Sequence, residues 1–227
     1  MRILVYHWVH DSERDRFAQH LAALSRRFEP VSLSDAVERL RAGRIGGREL
    51  VVTFDDGFRS AAVCAPLLAD HGFRACFFLI TDLVSATPEH VERICRERLH
   101  LPRPLEPMTW ADAEALLEQG HEVGSHTRTH PDLVALSHKE MDEELRTSRA
   151  ELERRLGLAP AHFAAPYGDR ARFSPAVSKA ARAAGYATCL TAQRGRNLPS
   201  TDLYALRRDN AVAGWPPRHV RYFLSQA

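Results

Sequence analysis

Short apolar runs that alternate with stretches of helical periodicity predict an α/β fold, a parallel sheet covered by helices. Two observations carry this. About seven runs read as strands, mostly separated by helices. Unusual polar residues stand just after four of those runs, and active groups of parallel α/β folds gather at the C-terminal strand ends.

Ile3 to Tyr6 is the first run. Glu13 to Phe28 follows as a helix, with Phe17, Leu21, Leu24 and Phe28 at helical spacing. Ser34 to Ala42 is a second helix, with Ser34 or Ser32 as its cap and Gly43 as its stop. Glu49 to Phe54 is the next strand. Ser60 to His71 reads as a helix that Pro66 should kink and Gly72 should end. Arg74 to Ile80 is a buried strand. Thr81 to Met108 breaks the rhythm and reads as a surface insertion, with a short helix around Val91 to Leu99 and the makings of a cleft wall. Thr109 caps a helix that runs through Gln119 to Gly120. His121 to Gly124 is a strand. Ser137 and Glu140 form a capping box for the longest helix, through Leu156, which Gly157 stops. His162 to Ala165 is a strand, Ser174 to Ala184 a helix, and Ala187 to Leu190 and Leu203 to Leu206 the last strands. Pro216 to Leu224 closes the chain as a helix.

The 227 residues are 44% hydrophobic and 26% charged, with a net charge of +2. That suits one domain over 1–227, with the insertion at about 81–108. No basic block suggests nucleic-acid binding, and no apolar run has the length of a membrane span. Met1 to His7 lacks the apolar core of a signal peptide, so a cytoplasmic location is expected. Cys64, Cys76, Cys95 and Cys189 lack CxxC spacing and read as buried thiols.

The run from Leu50 ends in Thr53-Phe54-Asp55-Asp56-Gly57-Phe58. Adjacent side chains of a regular strand point to opposite faces, but a turn at Gly57 can aim both carboxylates into one cleft. Two buried carboxylates are costly without a cation or proton. As turn residues they could instead cap the following helix. His126 and His130 are four apart, and on a helical turn both would share one face within reach of a single ion. Alone, each could be a surface histidine. Together with one carboxylate they make a zinc-type set with open positions for water and substrate.

Thr53-Phe54-Asp55-Asp56-Gly57, Ser125-His126-Thr127-Arg128-Thr129-His130 and Phe163-Ala164-Ala165-Pro166-Tyr167-Gly168 resemble the ordered motifs of the polysaccharide deacetylase family, the NodB-homology group or carbohydrate esterase family four. The resemblance implies a distorted (β/α)7 barrel and metal-dependent removal of N-acetyl groups from acetylamino sugars. It implies Asp55 as general base, Asp56, His126 and His130 as metal ligands, and the Tyr167 backbone N–H as an oxyanion donor. The implied ion is divalent, zinc first, with cobalt, nickel or iron(II) also suited to the donors.

Two positions depart from the usual pattern. Ala164 stands where an arginine that orients the base is common, and Leu206-Arg207-Arg208-Asp209-Asn210 lacks the histidine of the usual Leu-x-His. Both departures resemble the branch acting on biofilm poly-N-acetylglucosamine, which carries Phe-Ala-x-Pro-Tyr-Gly and a Tyr-His after the first strand. Val5-Tyr6-His7 fits, which implies His7 as general acid, and Arg208 is expected to replace the missing arginine beside Asp55. The expected partner is an N-acetylated sugar or glycan precursor. A deformylase or other amide hydrolase on this scaffold and a catalytically inactive glycan-binding module are the alternatives. Trp8, Trp110 and Trp215 could stack on sugar or pack in the fold.

Overall fold

The computed structural model describes residues 1–225, built around an all-parallel sheet. Its strands are β1 (Arg2–Tyr6), β2 (Glu29–Pro30), β3 (Glu49–Phe54), β4 (Cys76–Leu79), β5 (Glu122–Ser125), β6 (His162–Ala164), β7 (Thr188–Leu190) and β8 (Asp209–Asn210). Their order is β7-β6-β5-β4-β3-β1-β8. β2 pairs with the start of β3 (Glu29↔Glu49), and β4 pairs with its end (Thr53↔Cys76). The helices are α1 (Arg14–Ser25), α2 (Leu33–Arg41), α3 (Arg59–Ala62), α4 (Ala65–Asp70), α5 (Pro88–Glu97), α6 (Trp110–Glu118), α7 (His138–Leu156), α8 (Pro175–Ala183) and α9 (Pro217–Ser225). Among them none is long and apolar enough to cross a membrane.

The strand expected at 203–206 is a single parallel bridge, Leu190↔Leu206, and the ladder forms three residues later, where Leu4 pairs Asp209 and Val5 pairs Asn210. One segment therefore touches β7 with its first half and β1 with its second, joining the sheet's two edges into a distorted barrel. Burial on both faces explains why β1 and β3 read as unbroken apolar runs. Alternate residues divide between the faces. Ile3, Val51, Cys76, Phe78, Leu190 and Leu206 gather on the inner face, where Leu33, Val37 and Leu40 of α2 pack against them. Leu4, Tyr6, Val52, Phe54, Phe77 and Leu79 face outward into the cluster shared with α1, α4 and α6. Phe54 stacks on Phe77 at 4.9 Å, and burying each ring contributes about 1.5–3 kcal/mol.

Capping follows the sequence closely. Ser32 accepts the Asp35 N–H at 3.1 Å, Ser137 and Glu140 form the reciprocal box, and Gly157 takes φ 71°. Pro66 behaves differently from the expected kink. The stretch from Ser60 to His71 splits into α3 and α4, and Pro66 sits in the first turn of α4, where its missing N–H costs nothing. β2 was unexpected, because two residues carry no periodicity.

Candidate metal centre and catalytic cleft

β3 delivers the aspartate pair. The Asp55 N–H donates to Tyr6 O at 3.0 Å, which continues the β1 ladder one residue beyond the strand. Asp56 then takes φ 71° and Gly57 φ 86°. The strand alternation is thus broken at Asp56 as well as at Gly57, and both carboxylates line one cleft. A left-handed aspartate costs about 1–2 kcal/mol, held here by the surrounding sheet. Neither residue caps a helix, since α3 begins after Phe58 without a side-chain cap.

Arg208 sits in the barrel seam between the Leu206 bridge and β8, 1% exposed. Its Nη1 and Nη2 donate to Asp55 Oδ1 and Oδ2, both at 2.6 Å, and its Nε donates to Thr191 O at 2.8 Å. This planar fork is geometry that lysine cannot supply. Burial pushes the Asp55 carboxyl up, but Arg208, then His126, outweigh it and bring it down to about 2. Burial raises the Asp56 carboxyl too, and there it prevails, so Asp56 ends above its ordinary value. Among the described residues no side chain donates a hydrogen bond to Asp56. Adjacent carboxylates are thereby split into one held ionised by an arginine and one in want of a cation.

Asp56 Oδ1 lies 3.5 Å from His126 Nε2 and 3.7 Å from His130 Nε2. Both spans exceed a good hydrogen bond. They match the edge of about 3.4 Å of a tetrahedron with zinc-type bond lengths. The three donors lie within 4.8 Å of one another, and all three residues are buried. His126 Nδ1 is 2.8 Å from Ala164 O. A carbonyl only accepts, so that nitrogen carries a proton and Nε2 is the ring nitrogen turned to Asp56. Burial, then His126, holds His130 well below the ordinary imidazole range, so it is neutral. A carboxylate and two imidazoles fit a divalent transition ion.

The loop that carries the histidines is not the helical turn expected from their spacing. Thr127 and His130 are both left-handed, at φ 68° and 57°. Thr127 Oγ1 accepts the His130 N–H at 2.9 Å, so a tight turn rather than an α-helical face brings the rings together. Their centroids are 4.9 Å apart.

β6 leads into Pro166-Tyr167-Gly168, where Tyr167 and Gly168 both take φ 59°. Among the described residues the Tyr167 N–H has no acceptor. The Tyr167 ring rests edge-on to His130 at 4.8 Å and under Arg172, and its hydroxyl donates to Arg98 O at 2.5 Å. His7, half-buried at the end of β1, lines the same cleft of about 330 Å³. The insertion supplies Leu99 and Leu101 to its wall.

Sequence reasoning missed the residues that hold these groups. Glu144 on α7 and Asp82 at the root of the insertion brace the histidine loop. Asp209, paired with buried Arg2 at 2.8 Å, anchors the seam beside Arg208. Glu144 acts on backbone N–H groups, which no side-chain motif announces. Of the tryptophans, Trp8 lines the cleft, Trp110 packs under Arg155, and Trp215 stacks on His219.

The profile of the polysaccharide deacetylase family matches residues 42–189. The chain is 34% identical over 138 residues to a chitooligosaccharide deacetylase of Bradyrhizobium sp. (strain ANU 289), covering 59% of this chain and 52% of that one. It is 27% identical over 130 residues to a peptidoglycan-N-acetylglucosamine deacetylase of Bacillus cereus, covering 56% and 39%. The chain therefore spans about half or less of these relatives' lengths. The solved structure of IcaB from Ammonifex degensii superposes with a TM-score of 0.79 at 26% identity, over 98% of this chain and 96% of that one. That of the Streptococcus pyogenes deacetylase PplD in complex with acetate gives the same TM-score at 20% identity, over 98% and 97%, and speaks for the fold. Because the matched stretch covers more than half of the chain, from β3 through β6 into β7, and with it every donor of the candidate metal set, the chain belongs to the polysaccharide deacetylase family.

Proposed function

We propose that the chain is a metal-dependent hydrolase that removes the N-acetyl group from an acetylamino sugar or glycan precursor. The observation that carries this is the division of the aspartate pair. Asp55 is forked onto Arg208, while its neighbour Asp56 faces two imidazoles.

In this reading Asp56, His126 and His130 hold the ion, zinc by preference, with cobalt, nickel or iron(II) as competitors for the same donors. A divalent ion there supplies Lewis acidity toward the amide carbonyl and toward water. Arg208 keeps Asp55 ionised and fixes both of its oxygens, so Asp55 can take the proton of the water that attacks the amide carbon. The Tyr167 N–H donates to the oxygen on which negative charge develops. His7 delivers a proton to the departing nitrogen as the C–N bond breaks. The products are acetate and a free amino sugar. Four buried free cysteines fit a reducing compartment, and we place the reaction in the cytoplasm.

Mass spectrometry of reactions with N-acetyl and N-formyl sugars, free, nucleotide-linked and lipid-linked, tests the reading. Release of acetate from at least one class is expected. Turnover of formyl compounds alone would make the chain a deformylase. Stoichiometric metal without turnover of any acyl sugar would make it a binding module. His7→Ala should slow amine release with metal retained, and unchanged kcat would remove His7 from the mechanism.

A further inference from the structure

We infer that Glu144 of α7 is a positioning residue for the metal set, clamping the loop between His126 and His130 so that both imidazoles are preorganised. This rests on the proposed metal site. One Glu144 oxygen accepts the N–H groups of Arg128 and Thr129 at 3.0 and 2.9 Å, and the other accepts the Thr129 hydroxyl at 2.7 Å. Those two peptide groups are the ones framed by Thr127 and His130, the loop's left-handed positions. Strained backbone persists only where its surroundings over-determine it. Three donors converging on one half-buried carboxylate do that here.

The same face of α7 holds the loop's other end. Ser148, one turn from Glu144, meets Ser125 Oγ at 2.8 Å, both side chains fully buried, and Ser125 Oγ in turn accepts the Thr127 N–H. The two peptide N–H groups need an acceptor oxygen, and the Thr129 hydroxyl can donate or accept, so glutamine could keep all three contacts. Methionine in place of Glu144 keeps the length of the side chain and removes both oxygens. The loop then loses contacts without losing the helix.

The test is zinc affinity of the metal-stripped full chain, measured by competition with a chromophoric chelator, alongside thermal unfolding. Glu144→Met should raise the zinc Kd 10- to 100-fold, the range for partners that orient metal ligands. Thr129→Val, which removes one of the three donors, should raise it less and covers the case where Glu144→Met does not fold. Leu145→Ala weakens the same helix through the core and should lower Tm with the zinc Kd within threefold of wild type. An unchanged Kd in Glu144→Met, or an equal rise in Leu145→Ala, overturns the inference. A wild-type chain that takes up no zinc, cobalt or nickel instead refutes the metal reading beneath it.

Discussion

Replacing Arg208 with methionine isolates the interaction on which the aspartate pair depends. The fork to Asp55 is buried on both sides, with 1% and 3% of the two residues exposed. Burial alone would raise the Asp55 carboxyl above its ordinary 3.8, yet it is held at about 2. That displacement is worth about 2.5 kcal/mol in favour of the ionised form. Methionine removes the attraction and keeps the burial, so the ionised carboxylate is left without its main partner, at a cost of about 3–5 kcal/mol. The pH dependence separates this from a packing defect. In the wild type, Asp55 contributes stability that is complete above about pH 4 and is lost as pH falls from 3.8 toward 2. In Arg208→Met the Asp55 pKa rises above 3.8, so protonation relieves the folded state. The stability gap between the two proteins should then be widest at pH 7 and narrow as pH falls toward 4.5. Urea unfolding of both proteins after chelation, at pH 7 and at pH 4.5, measures this. A gap under about 1 kcal/mol at pH 7, or one that widens on acidification, would refute the reasoning.

Two further outcomes follow from named contacts. Burial, then Arg41, lowers the His162 imidazole to about 4, so it is neutral when folded and charges when unfolded. Its contribution is full above about pH 6.5 and is lost as pH falls toward 4, a change of roughly 3 kcal/mol. His162→Gln should flatten the wild-type stability curve across that window in urea titrations, and parallel curves would remove His162 as the cause. Gly168→Ala would place a Cβ 2.6 Å from Ala192 N at a left-handed position. It should cost about 1–3 kcal/mol in stability and reduce kcat with metal content unchanged, because it displaces the Tyr167 N–H. Wild-type Tm and kcat together would show that the turn tolerates the change.

The barrel was legible because its strands are buried on both faces, so that Ile3–Tyr6 and Glu49–Phe54 stand out as apolar runs without competing periodicity. The histidine pair was legible as a pair but not as a shape. Spacing of four suggested a helical turn, whereas Thr127 and His130 reach the same proximity through left-handed backbone and a threonine hydroxyl. Left-handed threonine and histidine leave no compositional trace. The seam was misplaced by three residues for a related reason. Leu203 and Leu206 look like a strand because they are apolar, but the ladder to β1 forms at polar Asp209–Asn210, stabilised by the buried Arg2–Asp209 pair. Arg2 and Asp209 are 207 residues apart, and nothing local to either signals the other. The braces Glu144 and Asp82 escaped notice because they stabilise a loop rather than react.

The central claim is that adjacent carboxylates do different work, Asp56 holding the ion and Asp55 moving the proton. Metal content and turnover of Asp55→Asn and Asp56→Asn, measured side by side on an acetylated sugar that the wild type hydrolyses, test it most directly. The account predicts stoichiometric metal without turnover in Asp55→Asn, and loss of both in Asp56→Asn. Loss of metal from Asp55→Asn, or retention of full activity by it, would contradict the account.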